Sequence, residues 1–247
     1  MQFPNFPESN HEIIRSLSHH SDQDLLDLFK RHPDSGRYFT ALFCRYSPIV
    51  YTLIRHSAKS PVQADYLFAL TWRHILHELG GLDLSATDDE ADGPKAPLTL
   101  QAWLINVTAL CINQAVLPDV ASIHYSLQAA SPPLWCYVER ALDRLAPLQR
   151  LIVLMAQTFS WSETRIAAYL QAEGERITPG QVGGRLREAY RELELALPDD
   201  IRTIYLDQLP TASLEATPEQ DAALLNEDVW GLADLELEPT TSVGSEN

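Results

Sequence analysis

Apolar residues recur along this chain at helical rather than alternating intervals. Ser21 opens the first clear run, with Leu25, Leu26 and Phe29 on one side of a short helix. A longer run begins at Asp34 or Ser35 and carries Phe39, Leu42, Phe43, Tyr46, Val50 and Leu53, with Pro48 expected to bend it. Ser60-Pro61-Val62-Gln63 has the N-cap, first-turn proline and capping-box order of a helix start, and the run continues through Trp72, Ile75, Leu76 and Leu79 to Gly80-Gly81. A fourth helix follows Thr99. No run of alternating β-branched residues competes with these patterns, so the chain is predicted to be all-α.

The second half carries a pair of capped amphipathic segments between Trp135 and Leu197. In the first, Ser160-Trp161-Ser162-Glu163 reads as a capping box with Ser160 as N-cap, Ile166, Ala167 and Leu170 share a stripe, and Gly174 supplies the stop. Thr178-Pro179-Gly180-Gln181 repeats the start signal for a second helix from about Pro179 to Leu197. On that helix Val182, Leu186, Ala189 and Leu193 form the apolar stripe, and Arg187 and Arg191 project away from it. A short turn between two such helices is the arrangement of a helix-turn-helix DNA reader, and arginines four apart suit successive phosphates, or a phosphate and a guanine edge. An ordinary surface helix with Arg187, Glu188, Arg191 and Glu192 as solvated charges fits the same periodicity.

Proline content and loss of periodicity mark 118–133 as a linker, with Pro118, Pro132 and Pro133 in it. The expected organisation is an N-terminal arm (1–19), a helical domain (20–117) interrupted by an acidic loop (83–97), the linker, a helix-turn-helix domain (134–206) and a tail (207–247). The formal net charge of −16 is unlike that of a nucleic-acid binder until it is resolved along the chain. Residues 1–82 balance eight acids with eight bases, residues 83–92 hold five acids and no base, and Asp207 to Asn247 holds ten acids with no Lys or Arg. Within the tail, Leu224-Leu225-Asn226-Glu227-Asp228-Val229-Trp230-Gly231-Leu232 is an acidic-hydrophobic core of the kind that is disordered alone, docks on a partner or masks a basic surface.

Other chemistry finds little support. Cys44, Cys111 and Cys136 lack paired-ligand spacing and read as small buried hydrophobes. His19-His20 and the His74/His77 pair have no carboxylate or thiol nearby in sequence to complete a metal site, and Asp88-Asp89-Glu90 with Asp92 is a solvated loop run. No phosphate-cradling glycine loop, nucleophile elbow or zincin pattern is present, so neither catalysis nor a cofactor is predicted. No signal segment opens the chain, which suits a cytoplasmic protein. The uncharged stretch from Ala96 to Pro118 is interrupted by Gln101, Asn106, Asn113 and Gln114, and reads as a protein-buried helix rather than a membrane span.

The order of parts resembles a known family. Asp24-Leu25-Leu26-Asp27-Leu28-Phe29, then Phe39-Thr40-Ala41-Leu42-Phe43-Cys44-Arg45-Tyr46 with Val50-Tyr51, then Ala64-Asp65 before a Trp-bearing helix, then Ala102-Trp103-Leu104, is similar to region 2 of sigma-70 family RNA polymerase sigma factors of the small extracytoplasmic-function type. Ala141-Leu142-Asp143-Arg144-Leu145, Gln149-Arg150-Leu151-Ile152-Val153-Leu154, Ile166-Ala167, and Val182 with Arg185-Leu186-Arg187-Glu188-Ala189 resemble region 4. The resemblance implies a bacterial protein that binds core RNA polymerase, opens promoter DNA with region 2 and reads it with region 4; an anti-sigma or other regulatory protein is a candidate further partner, whose existence the sequence leaves open. By position, Asp65, Leu67, Phe68 and Trp72 would face the polymerase, and Gln181, Arg185, Arg187 and Arg191 would face DNA.

The chain departs from the family pattern at three places. Phe68-Ala69 stands where a Gln-Glu pair is usual, and the helix after Trp103 has no basic residue from Leu104 to Asn113. That helix gains nothing from counterion release, and stacking of Trp103 on an unpaired base is the substitute, with a core role for Trp103 as the other reading. Gly183 and Gly184 sit where helix-turn-helix proteins reach base edges. The alternative is therefore an interaction protein on the same scaffold, binding polymerase or a regulator without recognising promoters.

Overall fold

Local signals start most of the helices in the computed structural model, which describes residues 4–84 and 99–206. After a 3-10 turn at Pro7–Asn10, ten α-helices follow: α1 (Glu12–Ser16), α2 (Asp22–Arg31), α3 (Arg37–Ser57), α4 (Pro61–Leu79), α5 (Leu100–Gln114), α6 (Pro132–Leu142), α7 (Pro147–Thr158), α8 (Glu163–Ala172), α9 (Pro179–Ala196) and α10 (Asp199–Tyr205). No strand occurs among the described residues, so the fold is all-α. Ser21, Ser60, Thr99 and Thr178 each accept the amide three residues on, as their sequences predict. The acidic loop and the tail lie essentially outside the described residues.

The core is continuous across the expected division. Phe39, Phe43, Phe68 and Trp72 form an edge-to-face aromatic cluster, with Phe43 and Trp72 centroids 5.0 Å apart. Phe6 from the N-terminal arm adds to it, 4.8 Å from Phe43. Tyr137 on α6 reaches it too, 6.2 Å from Phe39. Ile123, Tyr125 and Ala130, within the stretch read as a linker, are also buried in this core. The arm and the linker are thus structural parts of the bundle, and α6 belongs to it as much as to the second half.

Helix α4 is the central rod. It packs against α3, α5 and α6, and Arg73 on it pairs with Glu139 on α6 at 2.8 Å while lying over the Trp135 ring. A helix apolar on nearly all sides is one that is covered on nearly all sides. Helix α5 corrects the expectation of a buried helix: Leu100, Leu104, Val107 and Thr108 face inward, and Gln101, Asn106, Asn113 and Gln114 are exposed. Its outer face is uncharged, and Leu110 on it is 54% exposed. No helix among the described residues is long and apolar enough to cross a membrane.

The C-terminal helix α10 clasps the start of α3. Gly36, the N-cap position of α3, has no side chain with which to cap it. The carboxylate of Asp200 does so instead, accepting the amides of Gly36 (2.9 Å) and Arg37 (3.0 Å) and the Ser35 hydroxyl (2.5 Å). Behind it Ile201 is fully buried against Gly36.

A second tie joins the arm to the same clasp. Tyr205 on α10 donates to Oε1 of the buried Glu8 at 3.1 Å and accepts a hydrogen bond from the Ser131 hydroxyl at 3.2 Å. Oε2 of Glu8 has no partner among the described residues, and burial holds its carboxyl above the ordinary 4.5. A raised native pKa means that the contribution of Glu8 to stability is fully present below 4.5 and is lost as pH rises through the native value. Glu8→Gln is expected to raise the neutral-pH melting temperature and to flatten its decline above that point, as read by thermal denaturation across pH.

Candidate nucleic-acid interface

Helices α7, α8 and α9 enclose a small second core of Ile152, Met155, Ile166, Ala167, Leu170, Ile177 and Val182. The turn between α8 and α9 is closed locally. Gly174, at φ 95°, lets the Glu175 amide reach Leu170 O at 2.9 Å and its own amide reach Gln171 O at 3.1 Å, and the Gln171 carboxamide donates to Ile177 O at 2.7 Å. Helix α9 then starts with the full Thr178/Gln181 capping box.

The start of α8 differs from the sequence expectation. Ser162, not Ser160, is the N-cap and accepts the Arg165 amide at 3.3 Å. Ser160 has φ 49°, in the left-handed region, because the chain reverses sharply after α7 and brings the Trp161 amide to Met155 O at 3.2 Å.

The expected DNA-facing residues Gln181, Arg185, Arg187 and Arg191 are all exposed, but they do not form one face. At about 100° per residue, Gln181 and Arg185 share one flank, Arg187 and Arg191 share another, and the centres of the two pairs lie about 120° apart around the axis. Gln181 and Arg185 line a groove of about 250 Å³ with Glu175, Arg176 and Glu188, and the Gln181 carboxamide oxygen is engaged by the Thr178 amide at 2.8 Å. Carboxylates and a cap therefore occupy that flank.

Arg187 and Arg191 are placed differently. Gly183, one turn before Arg187, lies against the Glu163 carboxylate at the beginning of α8, so the arginine flank adjoins the α8 N-terminus. Neither guanidinium forms an ion pair among the described residues. Two unpaired guanidiniums beside a helix N-terminus favour phosphate oxygens, with the single Glu163 carboxylate acting against them.

One element of this surface escaped the sequence reading. Arg165 on α8 lies 4.3 Å over the Trp161 ring, and Trp161 meets Phe159 and Tyr169 with centroids 5.7 Å away in each case. The signal was there: Trp161, Arg165 and Tyr169 recur every four residues and so share one ridge.

The two helical glycines are not equivalent. A Cβ on Gly183 would overlap the Glu163 carboxylate, whereas one on Gly184 meets nothing within 4 Å. Gly184→Ala is expected to stabilise the fold by about 0.5–1 kcal/mol, because alanine loses less backbone entropy in a helix. Chemical denaturation of the two proteins checks it.

The expected polymerase-facing group requires correction. Leu67, Phe68 and Trp72 are 4%, 0% and 0% exposed, since their sides of α4 are covered within the bundle, and they offer no surface to a partner in this structure. Asp65 is half-buried and accepts the Tyr51 hydroxyl at 2.9 Å. Trp103 is partly buried and packs against the main core.

Burial raises all three thiols, that of Cys44 to about 12, which leaves them protonated near neutral pH. Among the described residues no group of three or more His, Cys, Asp or Glu side chains is placed to hold a metal ion. Compared with known proteins, the chain matches no family model, no curated protein and no solved structure at a significant level.

Proposed function

We propose that this chain is a sigma-like transcription-initiation protein of the cytoplasm, which holds promoter DNA on the α8–α9 surface while associated with core RNA polymerase. The observation that carries this reading is the flank of Arg187 and Arg191, exposed, one turn apart and unpaired among the described residues, beside the N-terminus of α8. Such a surface gains affinity by releasing counterions from the DNA backbone.

A second reading has its own support. Leu67, Phe68 and Trp72 lie in the core, and the outer face of α5 is uncharged, so among the described residues three of the four assigned to polymerase offer no surface and that helix has no charge with which to hold DNA. That favours an interaction protein on a sigma-like scaffold, one that associates with polymerase or a regulator without opening promoters. Mixing the full chain with core polymerase separates the two. New transcripts from promoters silent with core alone are expected on the first reading. Co-elution without new transcripts selects the second, and neither result removes both.

A further inference from the structure

The ridge of Phe159, Trp161, Arg165 and Tyr169 is the largest exposed aromatic surface on the helix-turn-helix, with Phe159 55% and Tyr169 43% exposed. Arg165 stacks on Trp161 and has no ion-pair partner among the described residues. Aromatic side chains flanking a guanidinium are the composition that dominates binding energy at protein interfaces. The ridge is also too apolar to be explained by phosphate contact alone, because rings gain nothing from a phosphate oxygen.

We infer that this ridge docks residues 224–232 of the same chain. That segment supplies the complementary chemistry: Leu224, Leu225, Val229, Leu232 and Trp230, the sole aromatic after Leu206, surround the Glu227-Asp228 pair. Trp230 and the aliphatic residues pack on the rings, and the acidic pair faces Arg165. Charge complementarity extends beyond the contact, since the 41 residues from Asp207 hold ten acids and no Lys or Arg, whereas the neighbouring α9 flank carries Arg187 and Arg191. Length permits it. The 17 residues between Leu206 and Leu224 reach up to about 60 Å when extended, more than the width of a small domain.

The consequence rests on the DNA reading above, although the docking does not. Held on the helix that packs against α9, the tail brings its net negative charge near the flank assigned to DNA and opposes duplex binding through its field.

Hydrogen-exchange mass spectrometry on the full chain tests the docking. The peptide covering 224–232 is expected to exchange at least tenfold more slowly than its chemical rate. Trp161→Ala with Arg165→Glu is expected to abolish that protection. Trp230→Ala, a change outside the described residues, is expected to abolish it as well and to raise affinity for a random-sequence DNA duplex about tenfold at low salt. Exchange of wild-type 224–232 at the chemical rate overturns the proposal, as does protection that persists in both variants or that grows with protein concentration, the mark of a second copy. Protection that is lost in the variants while none of the proteins binds DNA upholds the docking and removes the DNA reading. DNA binding without protection does the reverse.

Discussion

Gly36→Ala is expected to destabilise the protein by about 3 kcal/mol. The added Cβ would overlap Cγ1 and Cδ1 of Ile201 and come within 2.9 Å of Tyr137 Cε2. Ile201 and Tyr137 are 0% and 3% exposed, so neither can swing into solvent to make room. Relief comes only by lifting α10 away, and that movement withdraws the Asp200 carboxylate from the first amides of α3. The loss therefore combines overpacking with removal of a cap, itself about 1 kcal/mol. Asp200→Asn, which keeps one acceptor and the shape, is expected to cost less than half as much. Chemical denaturation of the three proteins gives the comparison, and equal stability of Gly36→Ala and wild type would mean that α10 does not sit on α3.

The second large effect concerns DNA. Arg187→Ala combined with Arg191→Ala is expected to weaken duplex binding by about ten- to a hundredfold and to reduce the salt slope by about two, one for each phosphate that is no longer neutralised. Arg185→Ala is expected to change both far less, because Arg185 belongs to the flank lined with Glu175 and Glu188. Anisotropy titrations from low to physiological salt read the slopes. A double variant with the wild-type slope would reject the phosphate role, and an equal weakening by Arg185→Ala would reject the division into flanks.

Which parts of this arrangement could be read in advance follows from the range of the interactions. Ser21, Ser60, Thr99 and Thr178 were legible as caps because a cap acts within three residues. Ser160 misled because its left-handed backbone is imposed by the reversal after α7, a feature that a serine followed by an acidic residue does not announce. Asp200 was invisible as a cap because its partners lie 163 to 165 positions earlier in the chain.

The same logic governs the candidate sites. Leu67, Phe68 and Trp72 were assigned to a partner by their position in the family resemblance, and sequence could not overrule it, because a helix apolar on two sides reads the same whether the second side meets another protein or, as here, α6. The angular separation of the α9 arginines follows from helical periodicity alone, whereas the stack of Arg165 on Trp161 became apparent only once α8 and the turn were placed. All-helical character was clear from periodicity. The continuity of the core was not, because Phe6, Ile123 and Tyr125 lie in stretches without periodicity and are recruited by packing against elements distant in sequence.

The most direct measurement is a titration of the isotope-labelled full chain with duplex DNA, following backbone amide resonances. Perturbations concentrated at the first turn of α8 and at Arg187 and Arg191, screened by added salt, are predicted. Perturbations confined to the Gln181 and Arg185 groove, or absent from α8 and α9 altogether, would contradict the assignment of this surface to DNA.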